Sequence, residues 1–188
     1  PRELANLVDV AFAALHGHYG DDGRIQRELD RFGIPYVGPG VASSAIAMNS
    51  ERSKEFFRTH GLKTPIYVIV TNSPGLEKEL IEIFRTIPRP YVVKPVVTSL
   101  TSDVLFAGSF DELVCSVNKM LEDHTRVMVE ECIYGREGIC GIIENFRGEE
   151  IYSLPPVGRS EHEVVSFLRE EKKSMEQVAK DVHKGLGL

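Results

Sequence analysis

Cysteine is scarce and unpatterned in this sequence: Cys115, Cys132 and Cys140 are the only three, and no two stand in a C-x-x-C spacing. An odd set without ligand spacing argues against a disulfide framework and a structural zinc site, and for a reducing compartment. Cys132 and Cys140 lie in apolar, strand-like context and read as core residues. Long apolar runs are missing too. No stretch reaches the roughly 20 apolar residues of a membrane-spanning helix, and the opening residues do not read as a signal peptide, so a cytoplasmic location is expected. Positive charge is not in excess. The formal net charge is −6, without the Lys/Arg stripe that marks a nucleic-acid partner. Internal repeats and low-complexity segments are also lacking.

What is there is the balance of a globular protein. Hydrophobic residues are 42% and charged residues 27% of 188 positions, enough to bury a core in one ordinary domain or two small ones. The sequence opens at Pro1 without a methionine and stops at Leu188 just after a helical pattern. A piece of a longer protein is therefore expected.

Periodicity and punctuation predict alternating strands and helices. Residues 7–15 (LVDVAFAAL) predict a buried strand. Residues 22–32 predict a helix with Asp21 or Asp22 at its N-cap, Ile25, Leu29 and Phe32 on one face, and Gly33 as its stop. A short strand over 34–37 and a Gly-Pro-Gly turn follow, then helices over 41–48 and 50–60, with Phe56 and Phe57 inward and Gly61 ending the second. Strands are predicted at 66–70, 91–94 and 104–106. Ser73 is the expected cap of a helix over 76–85, and Ser109 of a helix through Leu121. Strands over 126–131 and 137–143, a turn at 145–148 and a return strand at 150–153 come next. Residues 154–158 read as a proline-rich loop, 161–173 as a charged surface segment, and 174–184 as a helix with Val178 and Val182 on one face. This order implies an α/β class with α+β lobes.

The densest chemistry lies in residues 16–40, HGHYGDDGRIQRELDRFGIPYVGPG. Gly17, Gly20 and Gly23 alternate with His16, His18, Asp21 and Asp22, and glycines so placed let backbone approach a ligand. A strand opening through such a loop into a helix is where α/β proteins place ligand sites. His16 and His18 form H-x-H, but no third ligand stands in a plausible pattern, so no metal site is assigned.

Four segments carry a resemblance. They are ALHGHYGDDGRIQ (14–26), GIPYVGPGVASSAIAMN (33–49), RSKEFFRTHGLKTPIYVIV (52–70), and YVVKP (91–95) together with RVMVEECIYGRE (126–137). In order and spacing the sequence resembles the D-alanine–D-alanine ligases of the ATP-grasp superfamily. The resemblance implies an ATP-grasp fold with the tail of an N-terminal Rossmann-like domain. It implies the remainder of a substrate-binding α/β domain at 1–40, a central ATP-grasp lobe at 41–128 and an incomplete C-terminal lobe at 129–188. The implied activity is ATP-dependent joining of two D-alanines through an acyl phosphate, for peptidoglycan synthesis, by a homodimer in the complete protein. This segment alone is expected to be inactive.

By the same resemblance, Lys94 reaches the ATP phosphates. Glu130, Glu131, Cys132 and Ile133 form the strand-to-linker segment that receives adenine, and Glu137 bonds the ribose hydroxyls. His16 is implied beside the first D-alanine and the transferred phosphoryl, where a histidine can donate to a developing oxyanion. Gly17, Gly20, Asp21 and Gly23 form the substrate loop. Cofactors would be ATP and Mg²⁺ or Mn²⁺, with metal ligands expected beyond Leu188.

The sequence departs from the family pattern in places. Asp21 stands where Glu is usual, Arg27 where a small residue is usual, and Ser50 where a lysine is usual, with Lys54 one helical turn on. The Gly/Ser-rich phosphate loop is replaced by VVTSLTSDV (96–104), which has no glycine and carries Asp103. A diverged, non-catalytic homologue that serves as a binding module, or a ligase for another carboxylate–amine pair, are the alternatives. The choice of D-alanine, D-lactate or D-serine as second substrate is left open.

Overall fold

In the computed structural model, which describes residues 3–97, 104–159 and 166–188, the chain begins with β1 (Ala11–Phe12), α1 (Arg24–Arg31), β2 (Tyr36–Val37), α2 (Val41–Ala47) and α3 (Ser50–Thr59). A second group follows: β3 (Tyr67–Thr71), α4 (Leu76–Thr86), β4 (Tyr91–Pro95), β5 (Leu105–Ala107), α5 (Phe110–Asp123) and β6 (Arg126–Glu131). The last group is β7 (Glu137–Ile139), β8 (Ile142–Phe146), β9 (Glu149–Ser153), β10 (Val157–Arg159) and α6 (Arg169–Leu186).

The second group builds the core. Its four strands form an antiparallel sheet in the order β3-β6-β4-β5. Side chains alternate across a strand, so Val70, Tyr91, Val93, Ala107, Val127 and Val129 share one face. They pack there on Leu80 and Ile83 of α4 and on Leu113, Val117 and Met120 of α5. Burying each of the valine, leucine, isoleucine and methionine side chains contributes about 1.5–3 kcal/mol. Helix α5 starts where its sequence predicts: Ser109 Oγ accepts from Glu112 N–H, and the Glu112 carboxylate accepts from Ser109 N–H, a reciprocal capping box. Helix α4 differs. Its N-cap is Gly75, because the Ser73 carbonyl accepts from Leu76 N–H and uses residues 73–76 as a turn.

The N-terminal strand is much shorter than the apolar run predicts. β1 has two residues and pairs in parallel with β2 in a two-stranded sheet. Leu7 is 76% and Phe12 78% exposed. A parallel strand is buried only when both its faces are covered, and β2 is its one sheet neighbour among the described residues. Helix α1 starts two residues later than predicted, at an N-cap of Gly23 with φ 86°. Asp21 turns back on the loop that precedes it, and Asp22 bridges the two, accepting from Tyr19 N–H in the loop and from Arg24 N–H at the first residue of α1.

The predicted strand over 137–143 is two strands in two sheets: β7 pairs antiparallel with β10, and β8 with β9. The chain switches sheets at Cys140–Gly141, where Gly141 C=O accepts from Leu154 N–H. β10 falls where a loop is expected, because Pro155 and Pro156 precede the strand rather than interrupt it. Helix α6 begins at Arg169, ahead of the predicted Ser174. Glu170 and Glu171 lie in its first turn, and Glu171 accepts from Leu168 N–H. Val178, predicted to share a face with Val182, is 46% exposed, whereas Val182 is half-buried. Residues 161–165 of the charged segment lie outside the described residues.

Candidate functional site

The strand period that sends valines into the core sends Lys94 and Glu130 to the opposite face of the sheet. Lys94 stands across from Met128, and Val92 across from Glu130, so Lys94 and Glu130 are diagonal neighbours on adjacent strands. Lys94 Nζ donates to Glu130 Oε1 at 2.5 Å. Pro95 continues β4 for one more residue, which fixes the backbone carrying Lys94.

A second lysine completes the cluster. Lys54 comes from α3, whose N-terminus is held by the Asn49 side chain and by Ser50 N–H donating to Val96 C=O at 2.9 Å. Lys54 Nζ lies 2.7 Å from Glu130 Oε2, in full charge contact. It donates to Thr64 Oγ1 at 2.9 Å and to Pro65 C=O at 3.4 Å, and it sits over the Tyr67 ring. Lys54 and Glu130 are each 6% exposed, which makes them charges removed from water rather than a surface pair. Burial pushes the Lys54 ammonium below its ordinary pKa, with Glu130 opposing and Lys94 adding to the shift. Two ammoniums against one carboxylate leave this cluster with one formal positive charge, and Lys63 adds another at the lining of the adjoining cavity.

That cavity measures about 520 Å³. Lys94, Lys54 and Glu130 form one wall, Ser50, Ser53 and Phe57 of α3 another, and Val182 and Leu186 of α6 a third. It is of a size that takes a small organic molecule, with apolar lining and a few convergent polar groups. An anionic ligand finds cations there, and a donor group finds a carboxylate.

Of the site residues implied by the resemblance, Lys94 and Glu130 line this cavity and the others do not; Ser50 and Lys54, noted from sequence only as a departure from the family pattern, line it too. Glu131 Oε1 accepts from Ile66 N–H at 2.9 Å, tying β6 to the chain entering β3. Cys132 is half-buried and donates its N–H to Pro90 C=O, while Ile133 is 65% exposed. Neither Cys132 nor Cys140 is the fully buried core residue expected. Glu137 is exposed at the start of β7. The stretch 98–103, where the glycine-free phosphate segment lies, is outside the described residues.

His16 is exposed and opens a loop closed on itself. Gly17 N–H donates to Asp21 Oδ2 at 2.7 Å, and Gly20 and Asp21 donate back to Gly17 C=O. A Cβ at Gly20 would stand 2.6 Å from the Leu15 carbonyl oxygen, and one at Gly23 2.5 Å from that of Val41, so neither position admits a side chain. Burial pushes the Asp22 carboxyl up, but the Tyr19 and Arg24 N–H donors, with the Arg24 and His18 charges, outweigh it and hold it below its ordinary value. Among the described residues no group of three or more His, Cys, Asp or Glu is placed to hold a metal ion. Nor is any helix there long and apolar enough to cross a membrane.

Sequence alone undervalues Lys54. A lysine on the face of α3 that also carries Ser50, Ser53 and Phe57 is the available signal, since Phe57 marks that face as turned inward.

Comparison with known proteins gives this geometry a lineage. A sequence-family profile described as D-ala D-ala ligase N-terminus matches residues 1–39. The chain is 38% identical over 144 residues to a D-alanine–D-alanine ligase of Mycolicibacterium smegmatis, which covers 77% of this chain and 38% of that protein. It is 33% identical over 205 residues to one from Halalkalibacterium halodurans, covering 99% of this chain and 66% of the relative. A solved D-alanine–D-alanine ligase from Bacillus anthracis, complexed with ATP, superposes with a TM-score of 0.76 at 30% identity, over 98% of this chain and 60% of the other. The chain thus spans between about a third and two thirds of the length of these relatives. Sequence and fold agree: the chain belongs to the D-alanine–D-alanine ligase family and has an ATP-grasp fold.

Proposed function

We propose that the complete protein is a cytoplasmic, ATP-dependent ligase that joins two D-alanines through an acyl phosphate for peptidoglycan precursor synthesis, acting as a homodimer. The observation that carries this reading is the meeting of Lys94 and Glu130 from adjacent strands, backed by buried Lys54, at the wall of a 520 Å³ cavity. Activating a carboxylate with a triphosphate gathers negative charge, and preorganised cations are what such a site requires. In this reading Lys94 meets the phosphates. Glu130 accepts from the adenine amino group, with Glu131, Cys132 and Ile133 presenting the linker backbone to the base and Glu137 bonding the ribose. His16 and the loop of Gly17, Gly20, Asp21 and Gly23 face the first D-alanine. The division into 1–40, 41–128 and 129–188 belongs to the same proposal.

Magnesium or manganese is part of the proposal only through the family. The described residues form no set that fits the oxygen-rich, near-octahedral shell of Mg²⁺, and no step is assigned to one here.

The test is ATP-dependent phosphate release by the complete gene product with D-alanine as sole amino acid. Release with other amino or hydroxy acids but not D-alanine would redirect the substrate assignment, and no release with any would sink the catalytic one. Lys94→Ala should weaken ATP affinity by roughly 10- to 100-fold, the scale of a charge-assisted contact, and leave D-alanine affinity nearly unchanged. Equal loss for both ligands, measured by calorimetry, would remove Lys94 from the phosphates.

A further inference from the structure

We infer that Lys54 is a positioning residue that sets the base preference of the nucleotide site, by holding Glu130 Oε2 so that Oε1 can exchange between Lys94 and the exocyclic amine of a bound purine. This rests on the nucleotide reading above.

The two oxygens of Glu130 are held unequally. Oε1 meets Lys94, whose side chain is 20% exposed and lines the cavity. Oε2 meets Lys54, whose side chain is 8% exposed and fixed by Thr64 Oγ1, Pro65 C=O and the Tyr67 ring. Both lysines line the cavity, but Lys54 is held by four partners, whereas Lys94 is held by Glu130 and is the more exposed.

That asymmetry decides what a ligand can displace. An ionised carboxylate only accepts hydrogen bonds, so a 6-amino purine satisfies Oε1 while a 6-oxo purine turns an oxygen toward it. As the amine enters, Lys94 turns from Oε1 toward the phosphates. Without Lys54 that departure would strand a buried carboxylate with no cation, a costly state, and Lys94 would stay pinned. With Lys54 in place, Glu130 keeps a counter-charge throughout. Lys94 is released toward the phosphates and Oε1 is offered to the base. Glu130 reads the base, and Lys54 is what lets it do so.

The complete gene product is titrated calorimetrically with ATP and with its 6-oxo analogue ITP. Wild type should prefer ATP. Lys54→Met should reduce the ATP-to-ITP affinity ratio by about tenfold or more, and Lys54→Arg should retain the ratio because it keeps the charge. Should the methionine variant not fold, Lys54→Gln, which preserves a donor toward Thr64, is expected to show the same fall. Variants that bind both nucleotides more weakly at an unchanged ratio would reveal a purely structural lysine and overturn the inference. So would loss of the ratio in Lys54→Arg. A wild-type chain that binds both nucleotides alike refutes the base preference alone, whereas one that binds neither refutes the nucleotide site beneath it.

Discussion

Glu130 is a residue whose environment leaves little freedom. It sits 6% exposed between two ammoniums, and its own charge is what keeps Lys54 tolerable inside the protein. Replacing a buried pair by apolar groups is often neutral, whereas removing one partner leaves a stranded charge and costs about 3–5 kcal/mol. Glu130→Leu should therefore lose stability on that scale in urea denaturation. The double variant Lys54→Met/Glu130→Leu should regain most of it. A single variant as stable as wild type would mean that Lys54 reaches water more easily than its burial implies. Lys94 is the lesser concern, because its side chain can rehydrate.

Among the elements, α5 shows how local chemistry fixes a boundary. Its capping box uses Ser109 Oγ and the Glu112 carboxylate, which also accepts from Gly108 N–H at 2.7 Å. The Gly108 and Ser109 N–H donors hold the Glu112 carboxyl below its ordinary value of 4.5. A depressed folded-state pKa contributes stability that is present above the unfolded value and lost as pH falls through the folded one. Glu112→Gln should thus flatten the fall of Tm as acid is added below about pH 4.5, and change Tm less at the acid end than at neutral pH. An unchanged pH profile would remove Glu112 as a source of that dependence. Ser109→Ala, at the other half of the box, should cost about 1 kcal/mol. The strands after β6 contrast with this. The one local mark of the switch at Cys140–Gly141 is the glycine itself, which inside a strand pattern signals a bend; where the chain then goes is set by pairing first with β10 and then with β9.

At the scale of the whole molecule, the cavity exists because α6 is seated on α3 and α2. Ser43 Oγ donates to the Gly187 carbonyl, and Gly185 lies directly against the ring of Phe56, where a Cβ would collide with it. Farther along, Lys180 pairs with Glu149 and His183 with Glu144, tying α6 to the β8–β9 hairpin. Gly185→Ala should improve helix propensity by about 1 kcal/mol and still destabilise the protein, since overpacking costs about 1–3 kcal/mol. It should also weaken nucleotide binding by shifting Val182 and Leu186, which line the cavity. Unchanged thermal stability and unchanged ATP affinity together would show that α6 does not shape the site.

The sequence by itself determined the features that depend on neighbours a few positions away. The extent of β6, the Ser109 cap of α5 and the glycine stops at 33 and 61 follow from periodicity and capping. So does the placement of Lys94 at the end of an apolar strand. Family motifs added the ATP-grasp fold. Only the tertiary structure decided which charges meet. Lys54 joins Lys94 and Glu130 because α3 docks over one face of a sheet whose other face is filled by α4 and α5. It likewise decided that the apolar run at 7–15 forms a two-residue strand with exposed side chains rather than a buried one. The reason is physical: caps and periods act through bonds within a turn or two, whereas burial and ion pairing depend on what distant segments bring into contact, and that is set only when the layers pack.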